Sequence, residues 1–291
     1  MIKQKKIMKN IQYLIIAVFV LFLAGCEKHE IEFNASDDVK GKAQFQIFYA
    51  EPITNNTTNR IDSVYVNGKL YNSIDMPQKL TVNAVIPYPN GYYTVPAGMV
   101  NIKFYRGNSG TAENPVSVLV YETNVNLTER KQMILVYDLK EDPIILDDEY
   151  PYDKYTSGAT NATFNTDSVV TYRFINMFFE SPGVPYSGKL QYQYSNNSGS
   201  SYTAGDWHNL GEPIGFGEQT ARCPAIVHKT VFNSSGYQTL RFRCVDPDGN
   251  TVSRTTDYWT AYIGRINTHV LRGCRTGSPS AGYTQIINNV Q

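Results

Sequence analysis

Short runs that alternate apolar and polar residues, cut by Gly, Pro, Asn and Asp, constrain this chain more than any other feature. Ala43-Gln-Phe-Gln-Ile-Phe-Tyr49 and Lys189-Leu-Gln-Tyr-Gln-Tyr194 both alternate with period two, the spacing that sends successive side chains to opposite faces of a strand. β-Branched and aromatic residues fill such runs, with 22 Tyr and 13 Phe in all, as strands favour. Sustained helical patterns of Ala, Leu, Glu and Lys are missing. The expected fold class is therefore all-β.

The runs fall into two series. The first contains Ala43 to Tyr49, Ile61 to Val66, Leu80 to Ile86, Met99 to Tyr105, Val116 to Val125, Lys131 to Leu139 and Ile144 to Leu146. Asn67-Gly68 predicts a hairpin turn after Val66, because both residues accept positive φ. The second series contains Val169 to Phe179, Lys189 to Tyr194, Ala225 to Phe232, Tyr237 to Val245, Trp259 to Arg272 and Tyr283 to Val290. The opening strands, the Ser63 and Leu190 strands, the Met99 and Thr239 strands, and the Lys131 and Gly264 strands occur in the same order. A repeat of this length suits tandem sandwiches better than a solenoid. Charged and Pro-containing residues after Asp138 mark a boundary. The expected division is a sandwich over 42–147, a linker over 148–166 and a second sandwich over 167–291.

The N-terminus reads as an export signal. Lys3, Lys5, Lys6 and Lys9 precede an apolar stretch ending in Leu23-Ala24-Gly25-Cys26. That ending resembles the bacterial lipobox, which implies cleavage between Gly25 and Cys26 and lipidation of Cys26. Residues 1–25 are then the signal and 26–41 a lipidated tether. Two or more acyl chains would hold the protein stably on a bilayer. The acidic tether, with Glu27, Glu30, Glu32, Asp37 and Asp38, resembles the surface-export signals of Bacteroidota lipoproteins. The expected location is the outer membrane, facing the cell exterior.

All 26 acidic residues follow position 25, against 22 basic ones, so the mature chain does not suit nucleic acid, which needs clustered positive charge. No cofactor motif is present. Cys223, Cys244 and Cys274 remain after Cys26, an odd count whose pairing spacing cannot assign. Leu240, Phe242 and Cys244 share the apolar face of one strand, a plausible place for a buried thiol. His29, His208, His228 and His269 form no zinc or catalytic spacing, and no metal site is expected. Asp147-Asp148-Glu149 with Asp153, and Asp246-Pro-Asp-Gly-Asn250, are acidic enough to consider for calcium. A turn explains the second more simply.

The turn after Val66 and Val95-Pro-Ala-Gly98 leading into an alternating strand resemble a β-sandwich domain family found in tandem in Bacteroidota surface lipoproteins. The resemblance implies immunoglobulin-like domains and surface residence, and supplies no catalytic residues. Aromatics on loops are the candidate ligand-binding groups: Trp207, Trp259, Tyr92 and Tyr93, since ring faces amid polar groups bind sugars. Asp62-Ser63-Val64 and Asp167-Ser168-Val169 resemble O-glycosylation acceptors at Ser63 and Ser168. The expected function is a non-catalytic binding module whose ligand is a glycan. The alternative is a structural or adhesive surface subunit that contacts other proteins. The first predicts converging loop aromatics. The second predicts an exposed apolar patch or strand edge.

Overall fold

The computed structural model describes residues 40–73, 79–87, 91–107, 117–148, 167–195, 207–228, 237–252, 257–262 and 266–288. The signal, Cys26 and most of the tether lie outside the described residues, as does the chain from 149 to 166. Among the described residues every element is a strand. The first half contains β1 (Lys42–Tyr49), β2 (Ser63–Val66), β3 (Lys69–Ser73), β4 (Val85–Ile86), β5 (Tyr93–Pro96), β6 (Gly98–Arg106), β7 (Val118–Leu127), β8 (Lys131–Val136) and β9 (Ile144–Asp147). One sheet runs β4-β1-β8-β9 with β5 also on β1, and the other runs β3-β2-β6-β7. The second half contains β10 (Asp167–Ser181), β11 (Val184–Pro185), β12 (Gln191–Ser195), β13 (His208–Asn209), β14 (Cys223–His228), β15 (Tyr237–Val245), β16 (Asp257–Tyr262), β17 (Ile266–Cys274) and β18 (Gly282–Asn288). Its sheets run β11-β10-β17-β18 with β14 on β10, and β13-β12-β15-β16.

The halves repeat one topology. β1 runs parallel to β8, and β10 runs parallel to β17. β2 lies between β3 and β6, as β12 lies between β13 and β15. Each half closes a two-sheet core. Ala43, Phe45, Ile47 and Tyr49 of β1 meet Val64, Val66, Val100, Ile102 and Phe104 of the facing sheet. Tyr172, Phe174 and Phe178 of β10 meet Tyr192, Leu240, Phe242 and Cys244. Leu240, Phe242 and Cys244 share one buried face, as their alternation predicts.

Several boundaries differ from the sequence expectation. Leu80 to Ile86 is not one strand. Asn83 turns at φ 66, Ala84 N–H reaches Thr81 O at 3.0 Å, and only Val85–Ile86 pairs with β1. Trp259 to Arg272 splits into β16 and β17, which belong to different sheets. Val-Pro-Ala-Gly98 carries the chain from one sheet to the other, with Gly98 at φ 123. The Asn67-Gly68 hairpin forms with both residues at positive φ, 50 and 77.

The opening strands are buried on both faces, which explains their nearly continuous apolar run. The second face of β1 offers Phe48, and β8 and β9 add Met133, Leu135 and Leu146. These meet Ile175, Met177, Val270 and Ile286 of the second half in a third apolar cluster. The four sheets thus stack in layers, with the β1 and β10 sheets inside. Phe216 wedges into this junction between Tyr137 and Phe179, at ring distances of 5.5 and 4.9 Å. Gly217 beside it has φ 76, and a Cβ there would lie 2.6 Å from Ile144 Cδ1.

Asp148 sits at the edge of this junction and is fully buried. Its Oδ1 lies 2.7 Å from Arg173 Nη2 and 3.2 Å from Arg222 Nη2. The Tyr92 hydroxyl donates to its Oδ2 at 2.8 Å. Arg173 also donates to Asp147 O at 3.0 Å, Gln219 Oε1 at 3.1 Å and Thr268 Oγ1 at 3.1 Å. The linker expected to start at 148 therefore opens on a buried ion pair rather than a solvated acid. Two guanidinium groups stand against the Asp148 carboxylate, so its charge is met within the protein. Glu149 and Asp153 lie outside the described residues.

Removing the carboxylate strands two buried cations, so Asp148→Ala should destabilise the fold by about 3–5 kcal/mol. Urea unfolding measures this. Replacing all three partners with apolar residues (Asp148→Leu, Arg173→Met, Arg222→Met) should cost less than the single change. An unaltered midpoint for Asp148→Ala would contradict this role.

Candidate functional site

The four aromatic candidates do not converge. Tyr92 and Tyr93 are neighbours in sequence and point to opposite faces. Tyr92 reaches Asp148 at the junction, and Lys131 Nζ stands 5.2 Å from its ring centre. Tyr93 packs inward on Phe45 and Tyr71, at 5.6 and 5.0 Å. Trp259 is half-buried against the second core and contacts His269, with ring centres 5.2 Å apart. Trp207 lies over the Arg243 guanidinium at 4.3 Å, so one of its faces is covered. Arg243 in turn donates to Gln193 Oε1 at 2.8 Å. A shared sugar platform built from these four residues is therefore not what the structure assembles.

The Asp246-Pro-Asp-Gly-Asn250 segment is a turn. Asp246 Oδ1 accepts the backbone N–H of Asp248 at 3.1 Å and of Asn250 at 2.8 Å. The carboxylate thus closes the turn on its own backbone. Among the described residues Cys223, Cys244 and Cys274 form no disulfide, and the last two are buried. Burial pushes the Cys274 thiol up, and the same effect raises Cys223.

The outward face of the β3-β2-β6-β7 sheet carries a different constellation. Tyr65 lies between the buried Val64 and Val66, so it must face outward. It stands opposite Leu70 on β3, while Tyr105 stands opposite Leu119 on β7. Tyr65 and Tyr105 touch edge to face, with ring centres 5.4 Å apart and planes at 72°. Leu70, Tyr65, Tyr105 and Leu119 thus form an apolar diagonal over four strands, roughly 14 Å across at the usual strand spacing. Leu70 is 41 % and Leu119 43 % exposed. Beside the diagonal runs a polar ladder. Lys103 Nζ pairs with Glu122 Oε1 at 2.9 Å, and Asn101 Nδ2 donates to Glu122 and Asn124, each at 3.1 Å. The Lys103 amine holds the Glu122 carboxyl below the usual carboxylate range.

Ser63 shares this face, opposite Tyr105 and Ser73. The adjacent Asp62 carboxylate is tied to Arg60 Nε at 3.1 Å and to the Gly107 N–H at 2.8 Å. Ser168 lies in β10 opposite Val227. Sequence reasoning singled out loop aromatics and did not single out this sheet face. The readable signal was an aromatic at the outward phase of an alternating strand, as in Val64-Tyr65-Val66 and Phe104-Tyr105.

No protein-family model matches the sequence, and no curated protein matches it. Solved structures give distant likenesses. One is a minor pilin from Streptococcus agalactiae, 11 % identical with a TM-score of 0.25, covering 82 % of this chain and 99 % of its own. Another is a candidate cell adhesion protein from Bacteroides fragilis, 10 % identical with a TM-score of 0.25, covering 85 % of this chain and 98 % of its own. A third is a candidate adhesin from Bacteroides ovatus, 9 % identical with a TM-score of 0.19, covering 84 % of this chain and 95 % of its own. TM-scores this low do not establish a shared fold, so the architecture rests on the strand pairing above.

His269, set aside at the sequence level, is fully buried in the second core. Tyr172, Phe242 and Trp259 ring it at 5.1, 4.7 and 5.2 Å, and Tyr192 is hydrogen-bonded to its Nδ1. Burial lowers its pKa from 6.5 to about 3. Between those values the unfolded chain binds a proton that the native chain refuses. Its contribution to stability is complete above the unfolded value and lost as pH falls through the folded one. Between about pH 7 and pH 4 the parent should therefore lose more stability than His269→Leu, measured by denaturant midpoints at each pH. Parallel curves for the two proteins would contradict it.

Proposed function

We propose that this chain is a lipid-anchored, surface-facing, non-catalytic adhesive subunit that docks a folded protein partner on its β3-β2-β6-β7 face. The single observation that carries this reading is the exposed diagonal Leu70-Tyr65-Tyr105-Leu119. Its aliphatic ends and central tyrosines match the make-up of protein interface cores, and the Lys103–Glu122 ladder supplies a polar, charge-neutral rim. Cys26, after cleavage at Gly25, is the anchor, and the outer membrane is the location that the lipobox and acidic tether support. The sandwiches at 42–147 and 167–291 act as two immunoglobulin-like domains joined through 148–166. O-glycosylation at Ser63 would place a sugar on the docking face and compete with the partner, whereas Ser168 is a second acceptor away from it. The glycan reading keeps less support at Trp207, Trp259, Tyr92 and Tyr93, because they are dispersed.

A photo-crosslinking residue placed at Leu70 on intact cells should trap a protease-sensitive adduct. The same probe at Arg243, on the opposite outer sheet, should not. Tyr65→Ala with Tyr105→Ala should reduce the Leu70 adduct at least tenfold, and Cys26→Ala should release the chain from the membrane. Equal adducts from both positions, or a Leu70 adduct unchanged by the tyrosine pair, would sink the reading. A glycosidase-sensitive, protease-resistant adduct would return it to a glycan.

A further inference from the structure

The end of the second sandwich holds a cavity of about 360 Å³ where β17 leaves its sheet and the chain returns as β18. Val252, Cys274, Arg275, Gly277, Ser280 and Ala281 line it. Its volume falls in the range of small-ligand sites. The walls are held by backbone bonds: Cys274 N–H to Pro279 O at 2.9 Å, Arg275 N–H to Phe179 O at 2.8 Å, and Ala281 N–H to Cys274 O at 3.1 Å. Gly277 packs against Pro182, where a Cβ would lie 3.2 Å from Pro182 Cδ. The backbone bonds pin the exposed turn between β17 and β18 that forms most of the wall.

Arg275 is its central polar group. The guanidinium lies over the Tyr186 ring at 4.6 Å. Its Nε is 3.5 Å from Glu180 Oε2, and its Nη2 is 3.8 Å from Asp246 Oδ2. These are long contacts, beyond the usual hydrogen-bond range, so the guanidinium keeps donors for a ligand, while Asp246 is already tied to Asp248 and Asn250. Two carboxylates flank one guanidinium, which makes the surroundings unfavourable for an anion. The guanidinium in the wall disfavours a cation. Val252 and Ala281 add a small apolar floor, and the Ser280 hydroxyl both donates and accepts.

We infer that this cavity binds a neutral sugar of mono- or disaccharide size, whose adjacent hydroxyls meet Arg275 and Ser280 in the wall, while Glu180 and Asp246 behind the guanidinium offset its charge. Vicinal hydroxyls each donate and accept, and this wall offers both partners within one side chain's reach. The site is on the second sandwich, separate from the docking face on the first, and does not rest on that reading. It restores a glycan ligand at residues the aromatic pattern did not select.

The test uses the full chain carrying Cys26→Ser in a sugar-free detergent. Saturation-transfer NMR is run with glucose, galactose, mannose, N-acetylglucosamine and their common disaccharides, and with glucuronate and inorganic phosphate as anionic controls. At least one neutral sugar should saturate the chain. Ser280→Phe, which fills the cavity, and Arg275→Met, which removes the donors, should each weaken binding at least tenfold at an unchanged unfolding midpoint. Tyr65→Ala with Tyr105→Ala should leave sugar binding unchanged. Three results would overturn the assignment: no transfer from any neutral sugar, binding that survives Ser280→Phe, or tighter binding of glucuronate or phosphate than of every neutral sugar.

Discussion

Asp148 between Arg173 and Arg222 is the interaction on which the arrangement of the two halves depends. A buried carboxylate is costly to desolvate, and two guanidinium groups can offset that cost only in one geometry. The carboxylate comes from the end of the first half and both cations come from the second. The network therefore specifies how the β1 and β10 sheets meet, while the apolar cluster of Phe48, Met133, Leu135, Ile175, Met177 and Val270 supplies the burial. Apolar sheet faces alone would tolerate sliding. The charges single out one register, and Gly217 against Ile144 leaves little room for another.

This junction decides where recognition can occur. The β1 and β10 sheets spend both faces on packing, so their outward positions are lost to ligands. The outer faces of the β3-β2-β6-β7 and β13-β12-β15-β16 sheets remain, together with the loop ends. Those two outer faces differ. The first presents tyrosines and leucines, while the second presents Trp207 laid over Arg243 with Gln193 and Asn209 beside it. The first suits a protein partner better, and the sandwich end near Arg275 suits a small polar ligand better.

The fold class was legible because alternation and turn chemistry are local signals. Asn67-Gly68 announced its hairpin, and Leu240, Phe242 and Cys244 announced their shared face. The repeat was legible as strand order. What was not legible is set by long-range partners. Leu80 to Ile86 looks like a strand until Asn83 turns it, and Trp259 to Arg272 has no local mark where it changes sheets. Asp148 looked like part of an acidic linker because its arginines are distant in sequence. The run Phe174-Ile-Asn-Met-Phe-Phe179, apolar except at Asn176, carried a clue, since a strand apolar on both phases is covered on both faces. The placement of the candidate aromatics was hidden for a related reason. Tyr93 and Trp259 are drawn inward by packing, whereas Tyr65 is pushed outward by the valines on either side.

The central claim is that the described strands β1 to β18 behave as one body locked at the Asp148 junction. Backbone ¹⁵N relaxation, analysed separately for strands of the first and second halves, tests it most directly. The account predicts one shared rotational correlation time for β1 to β9 and β10 to β18. Two distinct and shorter times, one for each half, would contradict it.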